Sequence, residues 1–154
     1  MAEIHPQTPF GYVLFCDDAR EDTTGKFIYT GVYTGNMQVA SATPVTLGKI
    51  CLVINYFERP NESEHPVHVS IFFPENPPEE AGQTFVMPRE QFRSVEAGNA
   101  EDLEDQMIRM TAVVEISPFH VVRSGSLKVR IRRGDDTLTL GGLNIRLAGP
   151  PSAD

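Results

Sequence analysis

Apolar residues in this chain recur at every second position, and that period decides what the chain can fold into. In 107–116, MIRMTAVVEI, the residues Ile108, Met110, Ala112, Val114 and Ile116 share one parity, while Arg109, Thr111 and Glu115 share the other. Side chains alternate between the two faces of a strand, so the segment reads as a half-buried antiparallel strand. Residues 126–133, SLKVRIRR, repeat the pattern with Leu127, Val129 and Ile131 inward and Lys128, Arg130 and Arg132 outward. In 66–73, PVHVSIFF, one side carries Val67, Val69, Ile71 and Phe73. Further strands are expected near 11–16 and 36–41. The segments 26–33 and 47–58 are apolar on both faces. They predict central strands covered from both sides, or strands at an oligomer interface.

The last strand breaks its own parity. Leu138 and Leu140 are even, whereas Leu143, Ile145 and Leu147 are odd, and Gly141-Gly142 lies between them. One extra residue at the glycine pair would return all five to one face, so a β-bulge is expected there.

Turn chemistry supports antiparallel connections. Thr23-Thr24-Gly25-Lys26 and Thr34-Gly35-Asn36 bracket the second strand, and Arg133-Gly134-Asp135-Asp136 joins the last two. Twelve Gly and 12 Pro agree with a chain that turns often. Residues 74–82, PENPPEEAG, form an acidic, proline-rich loop. Pro88 through Phe92 can open a helix with proline at its first position, so one short helix at most is allowed near 88–106. The expected fold is all-β: an antiparallel two-sheet β-sandwich of the immunoglobulin-like kind, with about seven to nine strands. Residues 10–148 would form this single domain, between flexible tails at 1–9 and 149–154.

A chain of 154 residues hides roughly 70% of its unfolded surface on folding and needs no disulfide staple. Cys16 and Cys51 each sit inside an apolar run and are expected to be buried small hydrophobes in a reducing compartment. The N-terminal stretch lacks the basic region of a signal peptide, and no run reaches the ~18 apolar residues of a membrane helix, so a cytoplasmic location is expected. Thirteen basic against 21 acidic residues give a net charge of −8. That balance argues against general binding to nucleic acid or to an anionic membrane.

Two charged constellations stand out. Asp17, Asp18, Arg20, Glu21 and Asp22 form the densest polar cluster near a predicted strand end. Hard cations take several carboxylate oxygens from loops, so a Ca²⁺-dependent sandwich using an acidic 17–22 loop is one reading. The other is that the carboxylates cap backbone N–H groups and pair with Arg20 while the chain reverses. The second constellation is a basic stripe: Arg123, Lys128, Arg130, Arg132 and Arg133 fall within eleven residues that include no acid. It suits an acidic partner or phosphates, or else serves as a solvated face that deters edge aggregation. The acidic 101–105 loop of another copy is one such partner.

Catalytic signals are weak. His65 and His68 have H-x-x-H spacing, but on a strand they face opposite sides, so a shared metal is not expected. Nucleophile elbows, phosphate-binding loops and dinucleotide fingerprints are absent from the sequence. Glu58 and Glu115 are the remaining candidates for an acid–base pair. No catalytic residue, metal site or cofactor is assigned.

The segment Phe15-Cys16-Asp17-Asp18-Ala19-Arg20, with Gly25-Lys26 and Gly31-Val32-Tyr33, resembles the opening of an uncharacterised bacterial family of unknown function. The stretches Ser117-Pro118-Phe119 and Gly125 through Arg130 are similar as well. The resemblance implies a small β-rich single domain and no particular activity. Together these readings predict a non-enzymatic protein-binding or assembly module, with a protein partner or a second copy as its ligand, acting through a sheet face or an edge strand.

Overall fold

The computed structural model describes residues 8–60, 64–88, 93–95 and 107–148. Within them the chain is all-β, in twelve strands: β1 (Phe10–Glu21), β2 (Phe27–Tyr33), β3 (Asn36–Val39), β4 (Val45–Leu47), β5 (Ile50–Glu58), β6 (Val67–Phe72), β7 (Gln83–Met87), β8 (Arg93–Val95), β9 (Met107–Ile116), β10 (Phe119–Val121), β11 (Gly125–Arg133) and β12 (Asp136–Leu147). One sheet has the order β2-β1-β5-β9-β8, the other β3-β12-β11-β6-β7, and β4 with β10 makes a two-stranded ribbon. All pairings are antiparallel except β3 with β12.

The runs β1-β5-β9-β8 and β12-β11-β6-β7 reproduce, in chain order, the A-B-E-D and G-F-C-C′ sheets of an immunoglobulin sandwich. The count exceeds seven to nine because short strands are added around that frame. β2, β3 and β4 fall between the first two framework strands, and β10 falls between β9 and β11. The helix allowed near 88–106 lies largely outside the described residues, and 93–95 is strand. Both proposed tails also lie outside them, apart from Thr8 and Pro9.

The period-two reading explains the core. Leu52, Ile54 and Met110 from one sheet meet Val69, Ile71, Val129, Ile131 and Leu143 from the other in a continuous buried cluster. β12 carries the expected irregularity, with Val129 opposite Gly141 but Arg130 opposite Thr139, which leaves Leu140 as the extra residue. Leu140, Leu143 and Ile145 are buried, and Leu138 and Leu147 pack against the same core. β5 is central and buried on both faces, as its composition predicted. β2 is not. It forms the edge of its sheet, and Phe27, Ile28 and Val32 are exposed. Two-sided apolarity marks a buried strand only when both flanks are occupied, and composition alone does not reveal the flanks.

β1 is longer than the predicted 11–16 and it bends. Cys16 pairs with Val32 and Asp18 with Thr30, while Asp17 and Gly31 drop out between them. Gly31 has φ +66°, and a Cβ there would run into the Asp17 side chain. Tyr29 lies beyond this break, opposite Ala19. Burial pushes its phenol pKa up, with the charge of Tyr12 adding to the shift and Arg109 opposing it. Ala19 has the opposite parity to Cys16 and in a straight strand would face the other side of the sheet, yet Ala19 and Tyr29 both pack against Cys16, Cys51 and Val53. The far half of the β1–β2 ribbon therefore folds back over the outer face of its own sheet. There Ala19 and Tyr29 cover a second buried cluster of Cys16, Cys51 and Val53.

Candidate interaction face

The outer face of the β3-β12-β11-β6-β7 sheet gathers the basic stripe. Lys128 and Arg132 are exposed and Arg130 half-buried, alternating with fully inward Leu127, Val129 and Ile131. The registers extend this row sideways. Lys128 lies opposite Phe72 and Arg132 opposite His68 on β6, while His68 lies opposite Val86 on β7. On the other flank Ser126 pairs with Asn144, and Asn144 and Arg146 pair with Asn36 and Gln38 on β3. None of the outward-facing residues described on these five strands is Asp or Glu. In a chain of net charge −8, that makes this face the basic side of the molecule.

Local contacts hold the cations in place. The Arg130 guanidinium stacks 4.9 Å over the Phe72 ring, an arrangement worth about 0.5–1 kcal/mol at an exposed site. An acid from the 74–82 loop reaches the stripe: Glu79 approaches Arg130 at 3.7 Å while itself largely exposed. Such a pair contributes little and is easily exchanged. Arg123 and Lys128 line a cleft of about 450 Å³ with Phe72, Ser126 and the loop acid Glu75. Across Gly125-Ser126 a second cleft of about 400 Å³ is lined by Asn36, Gln38, Asn144 and Arg146. The Ser126 hydroxyl donates to Asn144 Oδ1 at 2.9 Å, which turns the amide N–H donors of Asn144 away from Ser126. Guanidinium, ammonium and amide donors thus outnumber the one carboxylate, Glu75, in two clefts that meet at Gly125-Ser126, chemistry that fits carboxylate oxygens.

Arg133 does not belong to the stripe. It is 7% exposed and faces the interior, where Nη1 donates to Glu58 Oε2 at 3.0 Å. The sequence run SLKVRIRR ends in two arginines, and alternation sends only the first outward. Arg146 and His68 are the members that a local reading of the stripe misses. Their outward parity is readable on β12 and β6, but their nearness to Lys128 and Arg132 depends on which strands pair.

The acidic cluster is not a loop and does not converge. Asp17 through Glu21 belong to β1, and alternation sends successive carboxylates apart. Asp17 accepts a hydrogen bond of 2.6 Å from the Tyr33 hydroxyl. Asp18 takes the Lys49 ammonium at 2.6 Å, and that bond lowers its pKa below the usual carboxylate range. Asp22 accepts from the Thr24 hydroxyl and from the backbone N–H groups of Thr24 and Lys26, closing the hairpin tip. Among the described residues no group of three or more His, Cys, Asp or Glu is placed to hold a metal ion. Glu58 and Glu115 are also separated: they sit opposite Ile108 and Cys51, roughly 23 Å apart along the sheet. His68 faces out from β6, while His65 packs near Gly134.

Tyr33 gives the bend in β1 a pH signature. Burial, and then the bond to Asp17, push its phenol up to about 12 from 10. A raised folded-state pKa adds stability below the unfolded value that is lost as pH climbs toward the folded one. Tyr33→Phe is therefore expected to flatten the loss of stability between about pH 10 and 12, as read from denaturant midpoints. An unchanged alkaline slope would show that Tyr33 is not the group responsible.

The strand order and the cationic row on the outer strand face define an immunoglobulin-like β-sandwich with one basic side. Comparison with family models then places the chain: it belongs to a family of unknown function, DUF6941, whose model matches residues 11–146. A search of curated proteins finds no match to the chain. Among the described residues no helix is long and apolar enough to cross a membrane.

Proposed function

We propose that this protein is a non-enzymatic docking module that binds an acidic polypeptide segment of a partner protein on the outer face of the β3-β12-β11-β6-β7 sheet. One observation carries the reading: Lys128, Arg130, Arg132 and Arg146 share a face on which no strand residue is acidic, although acids exceed bases by eight in the chain as a whole. A predominantly basic face on a negative molecule steers an acidic ligand to one side and disfavours it elsewhere. The overall charge opposes a long polyanion, whose charge density brings every acidic surface of the module into play. A short acidic segment meets only the groove.

The test uses a fluorescent glutamate-rich peptide, with a lysine-rich peptide of equal length and a short RNA as controls. Binding of the glutamate peptide alone is expected, weakening steeply as salt rises from about 50 to 200 mM. Lys128→Glu combined with Arg130→Glu should reduce it at least about tenfold, with a melting temperature lower by only a few degrees from loss of the Arg130–Phe72 stack. Equal binding of the RNA, or an unaffected double variant, would overturn the proposal. Self-association at low salt that the same variant abolishes would identify the acidic segment as that of a second copy.

A further inference from the structure

Cys16 on β1 and Cys51 on β5 are directly opposed in an antiparallel pair. Both are free thiols, and each is 0% exposed. They point away from the main core and share the small outer cluster with Val53, under Ala19 and Tyr29 of the folded-back ribbon. Directly opposed antiparallel residues have Cα atoms about 4.5–5.5 Å apart. That interval falls inside the roughly 4.4–6.8 Å that a disulfide spans. The two sulfurs are close enough for the Cys51 charge to raise the Cys16 thiol, after the larger effect of burial. The Cys51 thiol donates a long 3.9 Å bond to the Asp17 carbonyl, and neither thiol belongs to a metal-holding group among the described residues.

We propose that Cys16 and Cys51 form an oxidisable dithiol that a hydroperoxide closes to a cross-strand disulfide, stapling β1 to β5 beneath the folded-back ribbon. In the first step the thiolate of one cysteine attacks the peroxide, the O–O bond breaks, and a sulfenic acid and water form once the departing hydroxide takes the thiol's proton. In the second step the neighbouring sulfur attacks the sulfenic sulfur, the S–O bond breaks, and a second water leaves. Two thiols lose two electrons and two protons, and one hydroperoxide is reduced. Access is governed by the ribbon. Both sulfurs are sealed, and burial keeps Cys16 in its unreactive thiol form. Oxidation therefore waits for the Ala19–Tyr29 cover to lift, and opening of that edge ribbon is what the site senses.

The full chain is treated with hydrogen peroxide under native conditions and then followed by intact mass, thiol titration and thermal melting. Loss of two hydrogens from the mass, loss of both titratable thiols, and a melting temperature higher by roughly 10 °C that dithiothreitol reverses are expected. Tyr29→Ala, which removes the cover without touching either sulfur, should speed closure about tenfold. Cys51→Ala should leave Cys16 able only to gain oxygen atoms. Addition of oxygen to the wild type without loss of hydrogen would overturn the proposal, as would closure only in denaturant or a rate indifferent to Tyr29.

Discussion

Arg133→Met is expected to lower the stability of the sandwich by about 3–5 kcal/mol, the usual cost of leaving one member of a buried ion pair behind. Glu58 is 0% exposed and its carboxylate takes a 3.0 Å bond from Arg133 and a 2.9 Å bond from the Tyr56 hydroxyl. Burial first, and then the bond to Glu58, hold the Tyr56 phenol well above its ordinary pKa. Arg133 also reaches Asp136 at 3.5 Å across the turn, so the network ties the β11–β12 hairpin to the end of β5. Without the guanidinium the Glu58 carboxylate keeps its desolvation cost and loses the Arg133 charge beside it. For a chain this size the melting temperature should fall by roughly 10 °C. The triple variant Tyr56→Phe, Glu58→Leu, Arg133→Met removes the three polar side chains joined by these two bonds. It should recover most of that loss, because an apolar replacement of a buried pair is often neutral. A mild Arg133→Met phenotype would mean that water already reaches Glu58.

The same residue shows where the sequence stopped being readable. Alternation alone separates Lys128, Arg130 and Arg132 from Leu127, Val129 and Ile131, and that much of the face is local. It also sends Arg133 inward, yet a buried arginine is plausible only beside a carboxylate. Glu58 lies 75 positions earlier in the chain, so the pairing that justifies the burial is not written near either residue. Arg146 and His68 join the basic face for an equally non-local reason, the neighbour order β12-β11-β6. The acidic cluster misleads in the opposite direction. Five polar residues in six positions look like a loop, but Gly31 lets β1 and β2 continue past their break, and the carboxylates inherit strand alternation. Density of charge along the chain is a poor guide to density in space when the backbone is extended.

The bulge in β12 makes the strongest use of parity, and it predicts an asymmetry between removing and adding a residue. Leu140 is the one residue of β12 left over between the pairs Val129–Gly141 and Arg130–Thr139. Deleting Gly141 brings Leu138, Leu140, Leu143, Ile145 and Leu147 onto one uninterrupted parity, and Leu140 takes the place opposite Val129 where Gly141 lies against Val13. The ladder closes, every inward residue stays inward, and only the local bend is lost. The cost should stay below about 2 kcal/mol, within the range of ordinary substitutions. Inserting one alanine between Gly142 and Leu143 does the reverse. The next segment must either add a second unpaired residue or turn Leu143 and Ile145, both buried, to the solvent face. Exposing those two side chains forfeits about 3–6 kcal/mol of transfer free energy. The void left between the sheets adds to that, against a total stability of about 5–15 kcal/mol for a typical domain. Urea midpoints of the two length variants decide the matter. A deletion that unfolds the chain as readily as the insertion would show that the bend itself, rather than the parity it restores, is what the sandwich requires.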